Sequence, residues 1–143
     1  MRFIDTLGIS HKLKVVEHEL CQRIEAELAK LGLTYPQYAA LSYLEEKTMA
    51  TNAELARNSA VTPQTMNKIT QNLERDGFIT RLKNSEHGLK QDFRMKPKAE
   101  RILCDAHALV NEIELKTASR ISKKDIKKLE QLLDKCLQNL NSF

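Results

Sequence analysis

The chain has 143 residues, with 23 Lys and Arg, 19 Asp and Glu and a formal charge of +4, which suits one domain with its own core. It has no apolar run as long as a membrane span and no signal peptide at its start, so we expect a cytoplasmic protein. The three cysteines are widely spaced, without a CxxC pair. Composition therefore argues against a disulfide framework and predicts no metal and no cofactor.

Two helices are predicted in the first third of the chain. Apolar residues recur at three-to-four spacing from about residue 10 to 30, which is typical of a long amphipathic helix, and Gly32 closes it. Thr34 and Gln37 have the spacing of a capping box, so a second helix starts there and ends near Lys47.

A two-helix unit is predicted for residues 51–76. Thr51 opens the first helix with a capping box, and Thr62 with Pro63 opens the second. Gly77 suits the left-handed residue that ends a helix. Two short capped helices joined by a tight turn are typical of a helix-turn-helix.

The second of these helices has two contrasting faces. Met66, Ile69 and Leu73 form an apolar stripe, and the other face carries amides, hydroxyls and cations that suit the DNA major groove. That polar face consists of Thr65, Asn67, Lys68, Gln71, Asn72 and Arg75. A merely solvated face is the alternative, but the preceding helix and the following strand favour DNA reading.

A β-hairpin is predicted next. Residues 78–83 and 91–95 alternate apolar and polar side chains and flank a polar loop that contains glycine. A hairpin directly after a helix-turn-helix is typical of a wing, in which Lys83, Lys90 and Arg94 are available to phosphate or the minor groove. An ordinary surface hairpin is the alternative.

The positive charge is concentrated in this part of the chain. Between Thr62 and Lys98 there are 8 Lys or Arg against 4 Asp or Glu, whereas the remaining residues have 15 of each sign. Basic charge there would neutralise phosphates, so double-stranded DNA is the expected partner.

Two more helices complete the chain. Pro97 lies near the start of the first, and Ser122 caps the second. The terminal helices carry more apolar positions than a small winged helix can cover, so we expect a homodimer. A twofold dimer would present two reading helices to half-sites about one DNA turn apart.

The predicted fold is therefore mainly α with a small β-hairpin wing: a winged helix-turn-helix with N- and C-terminal dimerisation helices. We expect one domain over residues 1–143. The DNA-binding lobe would span about 34–96, and the dimerisation helices about 1–33 and 97–143.

The sequence resembles the MarR family, dimeric winged helix-turn-helix regulators of bacteria and archaea. The resemblance covers nearly the whole chain, and its middle segment is the most specific. Its carriers are LGLTYPQYAALSYL, AELARNSAVTPQTMNKITQNLERDGFITR and SRISKKDIKKLEQLLDKCLQNL.

This resemblance implies a repressor that a small, often aromatic or phenolic, ligand releases from a pseudo-palindromic operator. The implied base and phosphate contacts are Gln64, Thr65, Asn67, Lys68 and Gln71. Thr51 and Arg81 would help to fix the DNA backbone. His11, Tyr35 and Tyr38 would line the ligand pocket, although core packing is an alternative role for both tyrosines.

The chain departs from the family at the wing and at a cysteine. An aspartate and a minor-groove arginine are common in the family's wing, and His87 and Leu89 stand at those positions. Lys90 or Arg94 would have to substitute. TYPQY resembles the peroxide-sensing branch, but that branch's reactive cysteine aligns near Ser10, so its role is not transferred to Cys21.

Three alternatives to a ligand-responsive regulator remain. The altered wing favours a winged-helix module that binds protein, and exposure of Cys21 would favour a redox-modulated regulator. An enzyme is disfavoured because the histidines are scattered without a nucleophile or paired carboxylate, and no glycine-rich phosphate loop occurs. The histidines are His11, His18, His87 and His107.

Overall fold

The computed structural model describes residues 8–82 and 92–143. Within these ranges the helices are α1 (Gly8–Ala29), α2 (Tyr35–Lys47), α3 (Asn52–Asn58), α4 (Pro63–Arg75), α5 (Pro97–Thr117) and α6 (Lys123–Asn141). The strands are β1 (Ala50–Thr51), β2 (Ile79–Leu82) and β3 (Asp92–Met95). The predicted class, mainly α with a small β-hairpin, is confirmed.

The helix starts follow the predicted caps. The Thr34 hydroxyl accepts a hydrogen bond from the Gln37 amide at 3.2 Å, and the Gln37 side chain accepts one from the Thr34 amide at 3.0 Å. Thr51 caps α3 with the same reciprocal pair of bonds, and Ser122 caps α6. These bonds satisfy amides that a helix leaves without partners in its first turn.

The strands form an antiparallel sheet in the order β1-β3-β2. Arg81 of β2 pairs with Phe93 of β3, and Ala50 of β1 pairs with the other side of Phe93. Strand β1 was not predicted, because two residues are too few to show the alternation that identifies a strand. The sheet joins the start of the helix-turn-helix directly to the hairpin.

One hydrophobic core is formed by residues of all five helices from α1 through α5 and of the three strands. Leu28, Leu41, Leu73, Phe93 and Leu103 are almost fully buried in it. Their elements are therefore held in one packed unit, which fixes the orientation of α4 against α1, α2, α5 and the sheet.

Helix α6 lies outside that core, and within the described chain it has no buried residue. Five of its leucines are 40% to 62% exposed. They are Leu129, Leu132, Leu133, Leu137 and Leu140. Helix α1 adds Leu13 and Val16, which are also exposed. None of the described helices is long and apolar enough to cross a membrane.

Candidate nucleic-acid interface

Helix α4 separates its apolar and polar sides as predicted. Met66, Thr70 and Leu73 are buried, and Ile69 is half-buried. The polar side chains on the opposite side are all exposed, namely Gln64, Thr65, Asn67, Lys68, Gln71, Asn72 and Arg75. The helix therefore presents a continuous surface of hydrogen-bonding groups to a partner outside the protein.

The start of α4 is fixed by Thr62. Its hydroxyl accepts a hydrogen bond from the Thr65 amide at 3.1 Å and donates one to the Thr65 hydroxyl at 2.9 Å. Because Thr65 accepts in this second bond, its own hydroxyl proton stays available for a phosphate or base acceptor. Thr65 is thus oriented by the cap while it keeps its donor.

Asn52, which was not among the predicted site residues, links the two helices of the unit. Its Nδ2 donates to the carbonyl oxygen of Pro63 at 3.1 Å, so the first turn of α3 holds the first turn of α4. Between the helices, Ala60 adopts a left-handed conformation with φ 53°. Glycine is the usual residue in this conformation, so an alanine at position 60 is not a signal that predicts the turn.

Thr51 and Arg81 both have intramolecular roles. The Thr51 hydroxyl accepts from the Glu54 amide at 3.2 Å and caps α3. Arg81 Nε lies 3.4 Å from a Glu74 carboxylate oxygen, and its guanidinium lies 5.0 Å from the centre of the Phe93 ring. Arg81 therefore connects β2 to β3 and to the end of α4. Its expected contact with DNA stays a prediction.

The wing is described only at its base. Lys83 and Lys90 lie outside the described residues, as do His87 and Leu89 at the altered family positions. Arg94 is exposed on β3 and lines a groove of about 610 Å³. The groove also contains Glu45, Glu100, Cys104 and His107. Arg94 is thus placed beside acidic groups at the junction of the wing with α5.

Lys98 adds a contact that sequence patterns did not reveal. Its Nζ donates to the Asp76 carbonyl oxygen at 2.7 Å and lies 4.8 Å from the centre of the Phe78 ring. A cation suits the carbonyl-bearing end of a helix. This contact attaches the start of α5 to the end of α4.

The expected ligand-lining residues separate into two groups. Tyr35 and Tyr38 lie together, with ring centres 6.3 Å apart and planes inclined by 63°. His11 is exposed near the start of α1, ten residues before Cys21, which corresponds to about 15 Å of helix. Among the described residues, His11 does not line the groove that contains Tyr35 or the one that contains Tyr38.

Tyr35 lines a groove of about 390 Å³ between α1, α2 and the turn after α3. Cys21 and Glu17 line it from α1, and Ser59 lines it from the turn. Glu25 also lines it and accepts a hydrogen bond from the Tyr35 amide at 3.0 Å. The groove thus touches both a terminal helix and the helix-turn-helix.

The chemistry of Cys21 does not favour a reactive thiolate. Burial raises the pKa of the thiol, and the carboxylates of Glu17 and Glu25 raise it further. Burial also raises the pKa of Tyr35. Both groups are therefore kept protonated near neutral pH, the opposite of what a redox-sensing cysteine needs.

Two capped helices, an exposed polar second helix and an antiparallel hairpin define a winged helix-turn-helix protein. Residues 33–87 match the sequence model of the MarR family. The chain is also 27% identical over 135 residues to the HTH-type transcriptional repressor Rv2887 of Mycobacterium tuberculosis, covering 94% of this chain and 97% of the relative. The resemblance to the MarR family is thus confirmed.

Solved structures share the fold of this chain. The complex of Rv2887 with salicylic acid has a TM-score of 0.73 at 26% identity and covers 90% of this chain and 96% of that one. A MarR variant from E. coli with operator DNA has a TM-score of 0.85 at 19% identity, covering 96% and 99%. BldR from Sulfolobus solfataricus reaches 0.86 at 20% identity, covering 97% and 99%. The last two structures are at most 20% identical to this chain, so they support its fold alone.

Proposed function

We propose that this protein is a sequence-specific, DNA-binding transcriptional repressor that acts as a homodimer and is released from its operator by a small molecule. The observation that carries the proposal is the exposed polar side of α4. The relatives of this protein support the same function, since Rv2887 is a transcriptional repressor and the E. coli MarR variant was crystallised with operator DNA.

Helix α4 suits the major groove in both chemistry and position. Gln64, Asn67 and Gln71 can form bidentate bonds with adenine edges, and Lys68 can reach guanine acceptors or phosphate. The helix is held from its first turn by Asn52 and from its last residues by neighbouring groups of β2 and α5. A reading helix fixed in this way loses little conformational freedom when it binds DNA.

The dimer is inferred from the exposed apolar side chains of α6 and of the first half of α1. Their leucines and valines are exposed in the single protomer, and such a surface normally marks an interface. Another copy of the chain is the simplest partner, because a twofold dimer also supplies two α4 helices to a pseudo-palindromic operator.

Release by a small molecule is supported by the groove beside Tyr35. An occupant would contact α1 and the turn between α3 and α4 at once. It could therefore favour a dimer in which the two reading helices no longer match the spacing of the half-sites. The complex of Rv2887 with salicylic acid supports ligand binding in a relative of this chain.

We further propose that the protein has no catalytic activity of its own and works in the cytoplasm. The names of its relatives indicate regulation of transcription and not a reaction.

A DNA titration tests this proposal. Purified protein is titrated against DNA from upstream of its own gene, against genomic fragments selected for binding, and against a shuffled control, at two salt concentrations. We expect tight binding of one dimer to a native or selected fragment, with a clear preference over the control. Equal, weak binding to all DNAs that vanishes with salt would contradict a sequence-specific regulator and favour a protein-interaction module.

A further inference from the structure

The groove beside Tyr35 has an acidic lining. Glu17, Cys21 and Glu25 line it from α1, and Tyr35 lines it from α2. Within the described chain, no Lys, Arg or His side chain lines this groove. An anion would therefore meet two carboxylates there without a compensating cation.

The rest of the lining is suited to an apolar body with one polar end. Leu20, Pro36 and Ala39 supply apolar wall, and Tyr35 supplies an aromatic ring. The Oγ of Ser59 is buried and has no hydrogen-bond partner among the described residues. At about 390 Å³ the groove is within the usual size of small-molecule sites.

The local field is negative enough to act on neighbouring groups. Besides burial, Glu17 and Glu25 raise the pKa of Cys21, and among the lesser causes of the raised pKa of Tyr35 are Cys21, Glu114 and Glu17. Such a field disfavours a further negative charge and favours a positive one. The aromatic ring of Tyr35 would add to the attraction for a cation.

We propose that this groove binds a small organic cation with an aromatic or other apolar body, and that such a cation is the class of effector to which the repressor responds. The inference rests on the proposed function for its regulatory part. It distinguishes this chain from Rv2887, whose complex contains salicylic acid, an anion at neutral pH. The carboxylates of Glu17 and Glu25 would pair with the cationic end, and the apolar wall would hold the body.

Three probes of nearly identical shape test the charge preference. Benzamidine is a cation, benzamide is neutral and benzoate is an anion, so their binding to the DNA-free protein by calorimetry compares charge at constant size. We expect benzamidine to bind at least tenfold more tightly than benzoate, with benzamide between them. Equal affinities, or tighter binding of benzoate, would overturn the proposal.

Variants locate the binding. Glu17→Gln and Glu25→Gln should each weaken benzamidine binding roughly fivefold, as expected for loss of one partly exposed charge partner, and should strengthen benzoate binding. A glutamine at position 25 can still accept the hydrogen bond from the Tyr35 amide. Glu19→Gln is the matched control, because Glu19 lies on the same helix but does not line the groove. Equal effects of Glu17→Gln and Glu19→Gln would overturn the assignment to this groove.

The same probes separate the site from the proposed function. Binding of benzamidine without DNA tests the groove alone, whereas the DNA titration tests the repressor alone. If the protein binds both benzamidine and a specific operator, benzamidine at saturating concentration should lower operator affinity at least fivefold in the wild-type protein. In Glu17→Gln, the benzamidine concentration needed for half of that effect should be higher. Unchanged operator affinity with the groove occupied would overturn the effector role.

Discussion

The phenol oxygen of Tyr38 lies 2.8 Å from Nδ1 of His107, and Nε2 of the same imidazole lies 3.0 Å from a carboxylate oxygen of Glu45. A neutral ring satisfies both contacts, because Nε2–H donates to the carboxylate while Nδ1 accepts from the phenol. Tyr38 and Glu45 belong to α2, and His107 belongs to α5. This bridge therefore connects the predicted DNA-binding lobe to a predicted dimerisation helix.

Removing either side chain of the Tyr38–His107 contact should lower the free energy of unfolding, and the two losses should not be additive. We expect Tyr38→Phe to reduce the free energy of unfolding by about 1 kcal/mol and His107→Ala by about 2 kcal/mol, with a coupling energy of roughly 0.5–1.5 kcal/mol in the double mutant. Urea unfolding measures all three values. Tyr43→Phe, which removes a hydroxyl from the same helix, is the control and should show no coupling to His107. Additive effects of Tyr38→Phe and His107→Ala would show that the bridge contributes nothing.

The exposed leucines of α6 should hold the dimer together. Leu133→Glu and Leu137→Glu together would place charge in the apolar face, so we expect a monomer by light scattering at micromolar concentration. Gln131→Glu adds a charge to the same helix at an exposed polar position and should leave the dimer intact. A double variant that remains fully dimeric would place the interface elsewhere.

The cap at Thr62 should matter for stability and not only for DNA. Thr62→Ala removes the acceptor for the Thr65 amide, so we expect a loss of about 1 kcal/mol in the free energy of unfolding. Thr62→Ser keeps a hydroxyl at the same position and should recover most of that loss. If the alanine and serine variants unfold at the same urea concentration, the cap is not a stabilising contact.

The raised pKa of Cys21 predicts slow alkylation. Because a higher pKa leaves less thiolate at a given pH, Cys21 in a protein with Cys104→Ser and Cys136→Ser should react with iodoacetamide more slowly at pH 8 than a free thiol does. Glu17→Gln should increase the rate, since it removes one of the charges that raise the pKa. Reaction faster than the free thiol would revive a redox role for Cys21.

Sequence patterns predicted most of the helices and their starts because these signals are local. Thr34, Thr51, Thr62 and Ser122 each act on an amide three residues away, so their spacing is visible in one dimension. The polar side of α4 was visible for the same reason. Helical periodicity separates it from the buried stripe regardless of the rest of the fold.

The contacts between helices that are distant in sequence could not be predicted in this way. His107 meets Tyr38 across 69 residues, and Lys98 meets the Asp76 carbonyl across 22. Neither pairing has a periodicity or a motif, because each arises only when the helices pack. Strand β1 was missed for a related reason: Ala50 is a strand residue only through its pairing with the distant Phe93.

Two variants of α4, each measured on operator and on random DNA, test most directly whether the exposed side of this helix reads DNA. Lys68→Ala should weaken binding by a similar factor on both DNAs and reduce the slope of log affinity against log salt by about two, because a dimer loses two phosphate contacts. Gln64→Ala should weaken operator binding by about 1–3 kcal/mol per half-site and leave binding to random DNA nearly unchanged. If neither variant changes affinity or salt dependence on the operator, α4 is not the DNA-reading helix and the proposed function is wrong.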